Sequence, residues 1–210
     1  MNLNGLFKGL AAAGLALSLS ACNLVITDTP TFAASDAEGA PILREGLWAN
    51  LQPGCEADLS QAKEQWPECA TAVTIAGSVM TGPTKSGGSQ ALPFVLAKGD
   101  PRVLQVHLKD PDQDLNLYMY VAIRPVKSDE QGRITSYTGW IVQCGPPPPK
   151  NATRENGQPR FGTLKPSPGM VMDEKEGCTP KDKAALTLAA KNSETYEGQG
   201  PSGLSQWVRD

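Results

Sequence analysis

One histidine, His107, is all the imidazole in the 210 residues. That excludes zinc sites built on two or more histidines and any mechanism that needs a second imidazole. Neither charge sign dominates, with 19 Lys and Arg against 22 Asp and Glu. No basic cluster is present, so nucleic acid is not an expected partner. No apolar run reaches the roughly 20 residues that a membrane-spanning helix needs. Cysteines two to four residues apart are also lacking, which argues against a structural zinc site. What is plentiful is glycine and proline, 21 and 18 residues. That disfavours a helical bundle and favours turns and short strands. With 40% hydrophobic and 20% charged residues, the chain has the composition of one globular domain rather than of a disordered segment.

The first 21 residues read as an export leader. Lys8 supplies the positive region, and residues 10–19 supply an apolar stretch about half the length of a bilayer span. The stretch ends in Leu19-Ser20-Ala21-Cys22. This resembles the lipobox of bacterial lipoproteins, an aliphatic residue and two small residues before a cysteine. The resemblance implies that the Cys22 thiol takes a diacylglyceryl group and that the chain is cut before it. Two or three acyl chains on one residue hold a membrane firmly where one holds marginally. Asn23 follows, and aspartate there is the inner-membrane retention signal of Gram-negative lipoproteins. The resemblance therefore implies an outer-membrane location facing the periplasm in a Gram-negative cell. Trp66-Pro-Glu-Cys69 and Trp207-Val-Arg-Asp210 also resemble elements of Gram-negative envelope lipoproteins, a likeness that carries no activity.

Residues 22–43 are Thr-, Ala- and Asp-rich without a clear period, and read as a lipidated flexible tether. The folded domain is expected over residues 44–210. Strands are expected at 45–51, 70–80, 93–97, 103–109, 115–123 and 134–144, and a further one at 160–164. The clearest is 115–123, where Leu115, Leu117, Met119, Val121 and Ile123 form one wholly aliphatic face. Asp129 to Gly132 fits the turn to its hairpin partner. The register stays open. One choice places Trp140 and Val142 in the core, and a one-residue slip places Tyr137 and Ile141 there. A short helix is expected at 60–66 and a second from Thr179 to about Asn192, with Leu186, Leu188 and Ala189 as its core face. Trp207 and Val208 read as a docking tail. The expected fold is mainly β (α+β), a single antiparallel barrel or sandwich with a short N-terminal helix and a C-terminal helix.

Apart from Cys22, the cysteines are Cys55, Cys69, Cys144 and Cys178. In an oxidising compartment an even count reads as two disulfides with three possible connectivities. Cys55–Cys69 and Cys144–Cys178 are preferred: the first clips the short helix to its flanking strand, and the second ties the end of a core strand to the start of the last helix across the proline-rich loop.

Several motifs come near a chemistry and miss. Ser60-Gln-Ala-Lys63 has the spacing of the penicillin-binding nucleophile, and Lys85-Ser86-Gly87 resembles its partner motif, but order and context fail. Asp110, Asp112 and Asp114 have calcium-loop spacing, with Leu115 where glycine is needed and Val121 where glutamate is needed. No metal and no cofactor is called for. The remaining signal is aromatic. Tyr118 and Tyr120 point away from the aliphatic face, and Tyr137 or Trp140 joins them according to register. Either the C-terminal helix or the proline-rich loop covers this face, or it stays exposed and marks a contact surface. Three functions follow as expectations. The first is a non-enzymatic, lipid-anchored envelope protein that binds another protein or a polymer. The second is a barrel that holds a small ligand in the manner of lipocalins. The third is an envelope hydrolase using a carboxylate pair or the Ser60–Lys63 dyad.

Overall fold

The computed structural model describes residues 23–84, 87–110, 115–154, 157, 160–173, 177–196 and 203–210. The strands are β1 (Ile26–Thr27), β2 (Gly46–Leu51), β3 (Ala70–Ala76), β4 (Val79–Pro83), β5 (Ser89–Ala97), β6 (Arg102–Asp110), β7 (Leu115–Ser128), β8 (Ile134–Ile141), β9 (Met170–Met172), β10 (Cys178–Pro180) and β11 (Leu204–Arg209). One helix, α1, covers Lys183–Ser193. Among the described residues no helix is long and apolar enough to cross a membrane.

From β2 to β8 each strand pairs antiparallel with the next, and β11 pairs with both β8 and β2. The result is a closed, up-and-down barrel of eight strands. Closure satisfies the backbone groups that a sandwich would leave along its edges. The expected docking tail is therefore the closing strand. The expected strand at 70–80 is two strands, β3 and β4, turned at Gly77 with φ 55°. The short helix at 60–66 is only a 3-10 turn at Lys63–Gln65. Seven residues ahead of Pro67 offer too few helical bonds to offset nucleation. No strand forms at 160–164.

Register sorts the side chains. In the β6–β7 pair, Leu104, Val106 and Leu108 face Val121, Met119 and Leu117 on the inside, while Val103, Gln105 and His107 face Ala122, Tyr120 and Tyr118 on the outside. The aliphatic face of 115–123 is thus the barrel lining, as its alternation predicts. In the β7–β8 hairpin Ile141 pairs with Val121 and Trp140 with Ala122. Tyr137 and Ile141 consequently face inward, and Trp140 and Val142 face outward.

The outer face of β6, β7 and β8 carries a second apolar layer. Val103, Tyr120, Ala122, Trp140 and Val142 pack there with Leu186, Ala189 and Ala190 of α1 and with Val25 and Phe32. Alanines let the helix lie close to the sheet. Trp140 Nε1 donates to the Ala190 carbonyl at 2.8 Å, which satisfies one of the helix's terminal acceptors. The helix begins four residues later than expected, capped by Asp182, whose carboxylate accepts from Ala185 N. Thr179 and Pro180 are instead held extended in β10 by pairing with β9. Leu186 and Ala189 are buried as expected, but Leu188 is 39% exposed.

The segment read as a tether is part of this layer. Ile26 and Thr27 pair with Met119 and Tyr118. Gln105 Oε1 accepts from the Thr31 and Phe32 backbone N–H groups, and Gln105 Nε2 donates to Phe32 O. Buried side chains, not a periodic pattern of its own, hold residues 23–43 in place. The disulfides are Cys55–Cys69 and Cys144–Cys178, with Cα separations of 5.7 and 5.8 Å. The second staples the end of the β8 segment to β10 within the outer layer.

Candidate functional site

The barrel interior is buried at one end and only partly buried toward the other. At the filled end the chain crosses the opening at residues 42–44, where Ile134 N donates to Ile42 O and Arg44 N to Ile134 O. Trp48 Nε1 donates to Arg44 O, and Trp207 Nε1 to Glu45 O, both at 2.8 Å. The Arg44 guanidinium lies 3.5 Å over the Trp207 ring, a cation–π contact. Gly46, with φ 118°, is required here, because a Cβ would stand 2.3 Å from Arg209 O. Above this floor Leu43, Trp48, Ile75, Leu96, Leu104, Ile123, Ile134 and Tyr137 are all buried.

Toward the other end the lining changes. Leu92, Leu115, Leu117, Met119, Val121 and Ile141 face inward by register and are each half-buried, while Phe94, Val106 and Leu108 beside them are buried. Phe94, level with Val106 and Met119, is the one aromatic ring among these residues, and Trp48, Tyr137 and Trp207 lie toward the floor. None of the described inward side chains of the open half is charged. Its polar groups are few. Ser205 Oγ donates to Asn50 Oδ1 at 2.7 Å beside Tyr137. Burial pushes the Tyr137 phenol up from its usual range, and the Ser205 hydrogen bond partly offsets this. The phenol stays neutral at physiological pH. β8 pairs with β11 only over Ser136–Thr138, so the wall beside Ile141 lacks a β11 partner. The chemistry of the lining is apolar, with a hydroxyl and an amide as its polar groups.

Register puts Trp140, not Tyr137, on the outer face with Tyr118 and Tyr120, and α1 and the N-terminal segment cover most of that face. Tyr120 is fully buried, its hydroxyl 2.6 Å from Thr27 Oγ1 and 2.8 Å from Thr31 Oγ1. Tyr137 lines the barrel and Trp140 lies under α1. Only Tyr118 borders solvent, half-buried and stacked on His107 with ring centroids 4.6 Å apart. The pair borders an outer groove of about 270 Å³ lined also by Pro30, Phe32, Val95 and Gln105. His107 Nε2 is 2.7 Å from Asn116 Oδ1.

Ser60 does not form a dyad. Its hydroxyl donates to Asp58 Oδ1 at 2.6 Å on an exposed turn, and that bond holds the Asp58 carboxyl below its usual value. Cys22, Lys85, Ser86, Asp112 and Asp114 lie outside the described residues.

Sequence reasoning passed over Asn23 as a structural residue. It is 4% exposed, with φ 58°. Its Nδ2 donates to Gly145 O and Gln143 Oε1, its Oδ1 accepts from Thr163 N, and its carbonyl accepts from Cys144 N. Asparagine tolerates this left-handed backbone better than most residues. No local signal shows these partners, which lie at least 120 residues away. No family model matches the chain, and no curated protein or solved structure matches it either.

Proposed function

We propose that this chain is a lipid-anchored envelope protein whose barrel holds an apolar small molecule, without catalysis. The observation that carries the reading is the aliphatic lining from Leu115 to Val121, only half-buried although it faces the barrel interior with Leu92 and Met80. Eight-stranded up-and-down barrels of this size have room for one small ligand when side chains do not fill them, as lipocalins do. The anchor part rests on the lipobox ending in Cys22, and the two disulfides fit an oxidising compartment.

Titration of the purified protein with a fluorescent fatty acid tests the ligand reading. Saturable one-to-one binding is expected. Met119→Trp, which adds a ring to the open half, should weaken it about tenfold or more, near 1.4 kcal/mol, with the melting temperature nearly unchanged. Absence of saturable binding, or binding indifferent to Met119→Trp, would overturn it. Intact mass spectrometry of the membrane fraction tests the anchor. Cys22→Ser should abolish acyl mass and leave an uncut precursor.

A protein or polymer partner is the second reading, favoured by the His107–Tyr118 groove alone. Tyr118→Ala should then lose the partner in an envelope crosslinking experiment while stability holds.

A further inference from the structure

We propose that Phe161 and Leu164 dip into the bilayer beside the acyl chains of Cys22, so that the barrel is held on the membrane in one orientation. The proposal rests on the lipobox reading of Cys22 and adds a second, protein-made membrane contact.

The argument starts from the missing tether. Consecutive Cα atoms are about 3.8 Å apart, and Asn23, the next residue, is buried and fixed by four hydrogen bonds. An acyl group on Cys22 therefore starts at the domain surface. Whatever surrounds Asn23 must lie against the headgroups.

What surrounds it is the segment 160–165. Thr163 N donates to Asn23 Oδ1 at 3.2 Å. Gly145 and this segment approach so closely that a Cβ on Gly145 would stand 2.3 Å from Lys165 O. Thr163 is fully buried, and its two apolar neighbours point the other way. Phe161 is 51% exposed and Leu164 is 60% exposed. In a chain of net charge -3, residues 145–169 hold four basic residues, Lys150, Arg154, Arg160 and Lys165, against one acidic residue. Lys150 and Lys165 are exposed. Apolar tips flanked by lysines match the boundary between acyl chains and anionic phosphates. The tether expected from composition would have made such a patch irrelevant, and its absence makes the patch adjacent to the lipid.

The test uses the full mature, lipidated protein in vesicles of phosphatidylethanolamine and phosphatidylglycerol with brominated acyl chains. Leu164→Trp and Phe161→Trp are compared with the parent and with Val126→Trp, which is equally exposed on the barrel's filled end. The added emission at positions 164 and 161 should move to shorter wavelength and be quenched several-fold, while that at position 126 stays in water. Intact mass is measured on the same sample. Acyl mass present with unquenched emission at 164 and 161 would overturn the membrane contact and leave the anchor standing. Quenching at all three positions would overturn the fixed orientation. Missing acyl mass would overturn the anchor reading and this proposal with it.

Discussion

The two halves of the barrel interior are made of the same strands with the same alternation, and they differ in what fills them. Near the turns at Gly77 and Asp129 the inward positions carry Trp48, Tyr137 and Trp207 with aliphatics between, and of these only Trp207 and Met80 are partly open to solvent. Toward Leu115 the inward positions carry Leu, Met and Val with Phe94 among them, and Leu115, Leu117, Met119 and Val121 are half-buried while Phe94, Val106 and Leu108 are buried. Alternation decides that a ring of strands has an inside. The volume of its side chains decides whether that inside is a core or a receptacle.

The largest test of this contrast is Trp48→Ala against Leu117→Ala. Trp48 is 1% exposed and hydrogen-bonded into the floor, so its truncation should cost about 3 to 5 kcal/mol in urea unfolding. Leu117 is only partly buried, so its truncation should cost less, about 1 kcal/mol, while weakening fatty-acid binding. Equal costs would mean that the open half is packed after all.

Next come the disulfides. Cys144→Ala with Cys178→Ala opens a loop of separation 34 and Cys55→Ala with Cys69→Ala one of 14. The chain-entropy account gives losses of about 4 and about 3 kcal/mol. Only the second pair clasps the β2–β3 connection at the open end, so only its loss should change ligand affinity. Melting and titration on both variants separate the two effects.

Residues 103–109 and 115–123 were legible because strict alternation over seven to nine positions leaves one solution. The closing strand was not. Leu204–Arg209 owes its conformation to Gly46–Leu51 and Ile134–Ile141 on either side, both far away in the chain. The positions of Tyr137 and Trp140 depended on a register that shifts twice between Pro125 and Ser128, and such bulges leave no composition signal. The open half was legible only as a face. Whether it is filled depends on the summed volume of seven or eight strands' inward residues, which no window of sequence contains.

A smaller effect separates the outer layer from the barrel wall it covers. Tyr120→Phe keeps the ring and removes a hydroxyl placed between Thr27 and Thr31. The expected loss is about 1 to 2 kcal/mol, with hydrogen exchange accelerated in residues 25–32 ahead of the barrel strands. Tyr118→Ala, at the groove, should cost less. Were Tyr118→Ala the more damaging change, the N-terminal segment would not be held by Tyr120.

The smallest expected effect is acid sensitivity of the filled end. Asp129 closes the β7–β8 turn, and its carboxylate accepts from Gln131 N, Arg133 N and Arg133 Nε. Partial burial alone would raise its pKa, but the Arg133 backbone and guanidinium outweigh that and hold it below 3.8. A carboxyl whose pKa is lower folded than unfolded stabilises the fold above the unfolded value and loses that contribution as pH falls through the folded one. The parent should therefore melt higher than Asp129→Asn at pH 7, and the gap should close as pH falls below the ordinary aspartate range. Asp58, lowered by Ser60 on the exposed β2–β3 connection at the open end, sharpens the contrast. Its hydrogen bonds order a loop rather than a floor, so Asp58→Asn should leave a flatter difference across the same pH range. A gap that persists at pH 2 for Asp129→Asn would assign its effect to turn geometry rather than to charge.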